Sequence, residues 1–165
     1  MKELLDKLSS YNIFNYLLPG VLFSVLASKM TELELVQKDL VVGVFVYYFV
    51  GLIISRFGSL IIEPLLKKIR FLKFADYKDF VQASSKDGKI EILSEANNMY
   101  RTFVATFLLI GLVKLYYKLA IKWTFLNNWS DWILVVLIVV MFLFSYRKQT
   151  NYITKRINSQ NKTNE

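Results

Sequence analysis

Arg56 and Glu63 are ionisable residues at the edge of a long apolar run, Leu40–Ser55 continued by Gly58–Ile62. Seven residues apart on a helix, they share a face and lie about 10 Å apart along the axis. Charges beside or within a membrane span are costly and usually face a bundle interior or water. The pair therefore predicts an internal ion pair or gating latch. The alternative is that Arg56 snorkels to headgroups while Glu63 meets the lysines that follow it. Lys114, Lys118 and Lys122, spaced i, i+4, i+8 in another apolar run, form a cationic stripe. It either lines an aqueous vestibule for anions, or it snorkels outward with Lys114 paired to Asp39 or Asp131. Asn12 and Asn15 precede Pro19, and their amides can bond between helices for ~1–2 kcal/mol or less. Tyr47 and Tyr48 lie within the second apolar run, where their hydroxyls need partners.

Much chemistry is absent from the residue types. The chain has no cysteine and no histidine, so thiol relays and Cys/His zinc sites are excluded. No Gly-rich phosphate loop, metal cluster or nucleophile–base set occurs. The sequence predicts no catalytic residue, no metal and no cofactor, and a protein that is not an enzyme.

The elements that must position these residues are written in lipid. The 165 residues are 55% hydrophobic and 16% aromatic, with mean hydropathy +0.37. That exceeds the ~45–50% apolar content of soluble domains. Four spans are predicted, at about 12–29, 40–62, 102–121 and 130–146, each close to the ~20 residues a bilayer requires. Alternating the loops between two sides puts sixteen of the 21 Lys and Arg with the chain termini and the 64–101 segment. Five lie opposite: Lys29, Lys38, Lys114, Lys118 and Lys122. The positive-inside rule then makes both termini and the 64–101 segment cytoplasmic. Trp123, Trp129 and Trp132 mark the outer interface, and Tyr11, Tyr16, Tyr100, Tyr146 and Tyr152 the inner one. The rival reading of the first apolar run as a signal peptide is weakened by Glu3 and Asp6 in its basic lead.

The fold class expected is all-α: an integral-membrane four-helix bundle, N-in/C-in, with a small helical cytosolic extension between spans two and three. Residues 1–150 form one membrane domain, and 151–165 a polar, flexible tail. Met1–Ser10 reads as an amphipathic lead-in. Pro19 predicts a kink, and Glu63-Pro64 an end or hinge of span two, because a residue before proline avoids the α region. Leu65–Phe74 reads as an interfacial helix whose Lys67, Lys68, Arg70 and Lys73 contact anionic lipid. Asp76 predicts the cap of a short helix through Ala83. From about Ile90 to Lys122 no breaker interrupts the helical pattern. Ser94–Arg101 offers a partner surface at Glu95, Asn97, Asn98 and Arg101, or simply a solvated face.

Three stretches, Tyr11–Gly20 (YNIFNYLLPG), Gly51–Lys68 (GLIISRFGSLIIEPLLKK) and Ser94–Phe103 (SEANNMYRTF), resemble a pattern of small bacterial four-span membrane proteins. These are similar to membrane components encoded with antiphage systems, in which a soluble sensor works with a membrane partner. The resemblance implies no catalytic residue. The expected function is a membrane-embedded interaction or effector component of phage defence that alters permeability. Its expected location is the bacterial inner membrane. Anionic lipid, a second copy of the chain and a cytosolic protein are the expected partners, and nucleic acid is not. The alternative is a small transporter or channel subunit. Spans one, three and four hold no central acid, which disfavours proton-coupled export.

Overall fold

The computed structural model describes residues 10–161. The lead-in over 1–9 and the last residues of the tail, with Lys2, Lys7 and Lys162, lie outside the described residues. Within them the chain is helical throughout its ordered elements. Helix α1 (10–30) comprises Ser10–Asn12, a π-helical turn Ile13–Leu17, and Leu18–Met30. Helix α2 (Leu40–Lys68) comprises Leu40–Phe57, a second π turn Gly58–Ile62, and Glu63–Lys68. Then come α3 (Tyr77–Lys86), the long α4 (Lys89–Lys122), a short α5 (Thr124–Asn128) and α6 (Ser130–Asn161). Parts of α1, α2, α4 and α6 are long and apolar enough to cross a membrane.

The tight part of the bundle is α1, α2 and α4. Its core is Phe23 and Ala27 from α1, Ile54 and Ile62 from α2, and Ala105 and Ile110 from α4. Lipid tails are as apolar as leucine, so helices in lipid associate through close packing and polar contacts, with small residues at the seams. Accordingly Ser24, Ala27, Thr102, Ala105 and Thr106 are fully buried. The α1–α2 seam is closest. A Cβ at Gly20 would collide with the Tyr47 carbonyl, and one at Gly51 with the Tyr16 carbonyl. Only glycine permits this backbone-to-backbone approach.

Helix α6 supplies nothing to the core, and none of its most apolar stretch is buried. It leans on α2 through Phe142, stacked on Phe49 at 6.3 Å, and on α3 through Tyr152, 5.7 Å from Tyr77. The architecture is a three-helix core with a fourth helix laid against its side. At the end where α1 finishes and α2 begins, the 31–39 segment folds over the core. Leu33 and Leu35 pack inward, the Leu35 amide donates to Ser28 Oγ at 3.2 Å, and the Gln37 amide donates to the Tyr47 hydroxyl at 3.0 Å.

The structure departs from the sequence expectations in four places. Of the end or hinge expected at Glu63-Pro64, the helix does not end there: a π turn precedes the proline, and the helix runs on to Lys68. The interfacial helix expected to Phe74 stops at that point. Arg70 adopts φ 62°, its amide donates to the Lys67 carbonyl, and the Phe71 amide to that of Leu66. This double bond pattern is a Schellman stop, in which glycine is the usual left-handed residue. Asp76 precedes Tyr77–Lys86, but its side chain makes no cap bond. The tail expected to fray from Asn151 is helical through Asn161. It holds no Pro or Gly, and Thr154 Oγ1 bonds back to the Thr150 carbonyl at 3.1 Å.

Candidate functional site

The ion-paired residues of the bundle converge at the end where α1 begins and α6 finishes, and the reason begins with Pro64. In the π turn the Glu63 amide donates five residues back, to the Gly58 carbonyl. The next donor in that register is residue 64, which is proline and has no N–H. The Ser59 carbonyl, five residues before it, is thereby left without its helical partner. Lys148 on α6 fills the vacancy: its Nζ donates to the Ser59 carbonyl at 2.7 Å and to Ser59 Oγ at 2.7 Å.

Glu63 is placed by the same turn. Its side chain is only 11% exposed, and cations from three helices reach it. Arg101 of α4 donates to Oε2 at 2.7 Å, Lys67 of α2 to Oε1 at 3.0 Å, and Lys148 of α6 lies 3.7 Å from Oε1. Gly58 makes room for Arg101: a Cβ there would stand 3.3 Å from both Arg101 Cγ and Ala105 Cβ. Among the described residues, every ion pair involves Glu63. The convergence is a matter of depth. Glu63 lies ~34 Å along α2 from Leu40, Arg101 ~32 Å along α4 from Lys122, and Lys148 ~27 Å along α6 from Ser130, at 1.5 Å per residue. These lengths are all close to the ~30 Å thickness of a bilayer's hydrocarbon core.

A pocket of about 170 Å³ adjoins the cluster, between α2 and α4. Ile62 and Leu66 form its α2 wall, and Tyr100 and Val104 its α4 wall. The strap after the Schellman stop covers it with Phe71, Leu72 and Phe74. The Lys67 ammonium sits 4.0 Å over the Phe74 ring, which ties the strap to the cluster. On the α1 side, Tyr16 stacks edge-on against Tyr11 at 5.9 Å and Tyr48 at 5.4 Å. Burial, with Tyr16 adding to it, pushes the Tyr11 phenol up to about 12 against the opposing pull of Arg101 and Arg56.

The residues singled out from sequence fall in different places. Arg56 and Glu63 do not pair. The π turn between them packs extra residue per turn, so a seven-residue spacing no longer returns to one face. Arg56 is half-buried on α2 and has no ion pair among the described residues. Lys114 is exposed on α4, likewise without an ion pair; Asp39 instead caps α2, accepting from the Val42 amide at 2.9 Å. Asn12 is half-buried and Asn15 is buried in the first π turn. Among the described residues, Asn15 Oδ1 and Ser24 Oγ have no hydrogen-bond partner. Pro19 follows the first π turn as Pro64 follows the second, each at the second position after it. Lys68, Arg70 and Lys73 are exposed, whereas Lys67 joins Glu63. Of the expected partner surface, Arg101 turns inward to Glu63 and Asn97 lines the pocket; Glu95 is exposed and Asn98 half-buried.

Sequence reasoning missed Lys148 and Ser59. The available signal was the proline: a π or α register interrupted at Pro64 demands an outside donor, and Lys148 is a cation at matching depth. Among the described residues there is no group of three or more His, Cys, Asp or Glu able to hold a metal. No family model, curated protein or solved structure matches this chain.

Proposed function

We propose that this protein is a non-enzymatic, membrane-embedded interaction or effector component that works through release of the Glu63 cluster. The observation that carries the reading is the meeting of α2, α4 and α6 on one buried carboxylate beside a proline-interrupted π turn. Turns of this kind occur frequently at functional sites. A buried ion cluster in a low-dielectric setting holds its geometry firmly while complete and weakly once one member is lost. Such a cluster acts as a latch. The 64–101 segment supplies two of its cations and the pocket strap, so a cytosolic partner that moves the strap would loosen three helices together. The bundle would then rearrange and change permeability. The charge distribution supports insertion in a bacterial inner membrane with both termini cytoplasmic. The resemblance of the three motifs supports a setting in phage defence. The bare apolar face of α6 offers a surface for a second copy.

A second reading, a transporter or channel subunit, draws on Asn15 Oδ1 and Ser24 Oγ. Both are buried without partners among the described residues, as groups that water wets in another state would be.

Liposome flux separates the two. With a latch, the purified wild-type chain is silent and Glu63→Gln leaks an entrapped dye. Steady, gradient-coupled uptake by the wild type, abolished by Arg56→Ala or Lys114→Ala, would overturn the latch in favour of transport. Silence of Glu63→Gln, together with no partner captured through the 64–101 segment, would overturn it as well.

A further inference from the structure

The Glu63 cluster is electrically unbalanced. One carboxylate faces three cations, which leaves two positive charges uncompensated. Both carboxylate oxygens are already engaged, and Arg101 Nε is buried with no acceptor among the described residues. An unpartnered buried donor on a guanidinium is a standing demand for an anionic oxygen, and the planar fork of Arg matches phosphate best.

The pocket beside Arg101 has the complementary character. Leu66, Leu72, Phe74 and Val104 make it apolar, the paired Arg101 and Glu63 line its polar end, and the Lys67 ammonium lies against its Phe74 wall. Its volume of about 170 Å³ is below the ~300–1,000 Å³ of pockets that enclose whole small ligands. It therefore takes part of a molecule whose remainder lies elsewhere. A free phosphate would leave the apolar walls unfilled. A molecule with an anionic head and a hydrocarbon body that continues into the bilayer satisfies both halves, and the depth of Glu63 puts the pocket at the bilayer edge. Lys68, Arg70 and Lys73, exposed nearby, add the longer-range attraction of a basic surface to anionic headgroups.

We infer that this pocket is a binding site for one anionic phospholipid. The phosphate bonds to Arg101 and Lys67, and the first part of an acyl chain lies between Leu66, Leu72 and Val104. The inference goes beyond the latch reading and rests only on α2 spanning the bilayer. Glu63 then balances one of the cations and the lipid phosphate a second.

The test is native mass spectrometry of the full chain, released from nanodiscs of equal phosphatidylglycerol and phosphatidylcholine. The expected result is one retained phosphatidylglycerol per chain, favoured about tenfold over phosphatidylcholine. Leu66→Trp fills the pocket and leaves every charge in place, and Val104→Phe does the same from the other wall. Each, checked for unchanged helicity, removes that preference, as does Arg101→Gln, whereas Lys73→Gln retains it. Equal retention of the two lipids overturns the site. So does a preference that survives both pocket-filling variants, since that is surface attraction only. Full displacement by equimolar glycerol 3-phosphate overturns it in favour of a soluble phosphate ligand. Dye leak from vesicles of phosphatidylcholine alone reads the latch without this lipid, so the two proposals fail separately.

Discussion

Replacing Lys148 by methionine tests whether the fourth helix is held by the carbonyl that Pro64 frees. The substitution keeps the length and apolar stem of the side chain and removes its ammonium. Two bonds of 2.7 Å to Ser59 are lost. The Ser59 carbonyl is then orphaned, at a cost of about 1–3 kcal/mol. The ion pair to Glu63 at 3.7 Å is also lost. Glu63 keeps Arg101 and Lys67, and Lys148 is 26% exposed, so that part is worth only about 0–1 kcal/mol. Relief from burying an ammonium offsets some of both. The net expectation is a loss of about 1–3 kcal/mol. The distinctive signature lies in the cycle with Pro64→Ala. Alanine restores a backbone N–H to residue 64, which can itself serve the Ser59 carbonyl. Lys148→Met should therefore cost less in the Pro64→Ala background, by about 1 kcal/mol, against the ~0.3–0.5 kcal/mol scatter of independent sites. Loss of helical circular dichroism against SDS fraction measures all four species. Additivity within that scatter would refute the carbonyl-filling argument, and the bond to Ser59 would then be incidental.

Glu63→Gln leaves three cations clustered without their acid and should cost about 3–5 kcal/mol; Lys67→Ala, at the 41% exposed member, should cost under ~1 kcal/mol in the same titration. Gly20→Ala and Gly51→Ala drive a methyl into a facing carbonyl and should each lose at least ~1–3 kcal/mol. Gly111→Ala, with open space around it, should not destabilise. Arg70→Gly removes the left-handed penalty at φ 62° and should raise stability by about 1 kcal/mol, visible as a higher melting temperature with unchanged helicity.

The four long apolar helices were legible because their runs are uninterrupted and long enough to cross a membrane, and Glu63 was legible because an acid beside such a run is out of place. Its partners were not. Arg101 and Lys148 come from helices distant in sequence, and the pairing depends on depth and rotation. Rotation is what the π turns alter, and a 3.6-residue periodicity reads straight through them. That is why Arg56 looked like the partner of Glu63. Arg70 hid the end of α2, since a left-handed stop without glycine leaves no mark in the sequence. The length of α6 was readable in principle, because Asn151–Asn161 contains no breaker, but its polarity reads equally as a flexible tail. The position of α6 outside the core was unreadable, since an all-apolar helix has no face that names its neighbour.

The glycine seam between α1 and α2 makes that helix pair a lever with a fixed fulcrum. Where backbone rests on backbone at Gly20 and Gly51, no side chain can yield, so the crossing point resists compression while the helix ends remain free to tilt. Glu63 lies ~18 Å from Gly51 along α2, and Leu40 ~16 Å on the other side, at 1.5 Å per residue. Arms of nearly equal length transmit displacement almost one to one and in the opposite sense. For a rigid α2, a sideways shift at the carboxylate would then reappear, reversed, beside the 31–39 segment at the opposite end of the bundle.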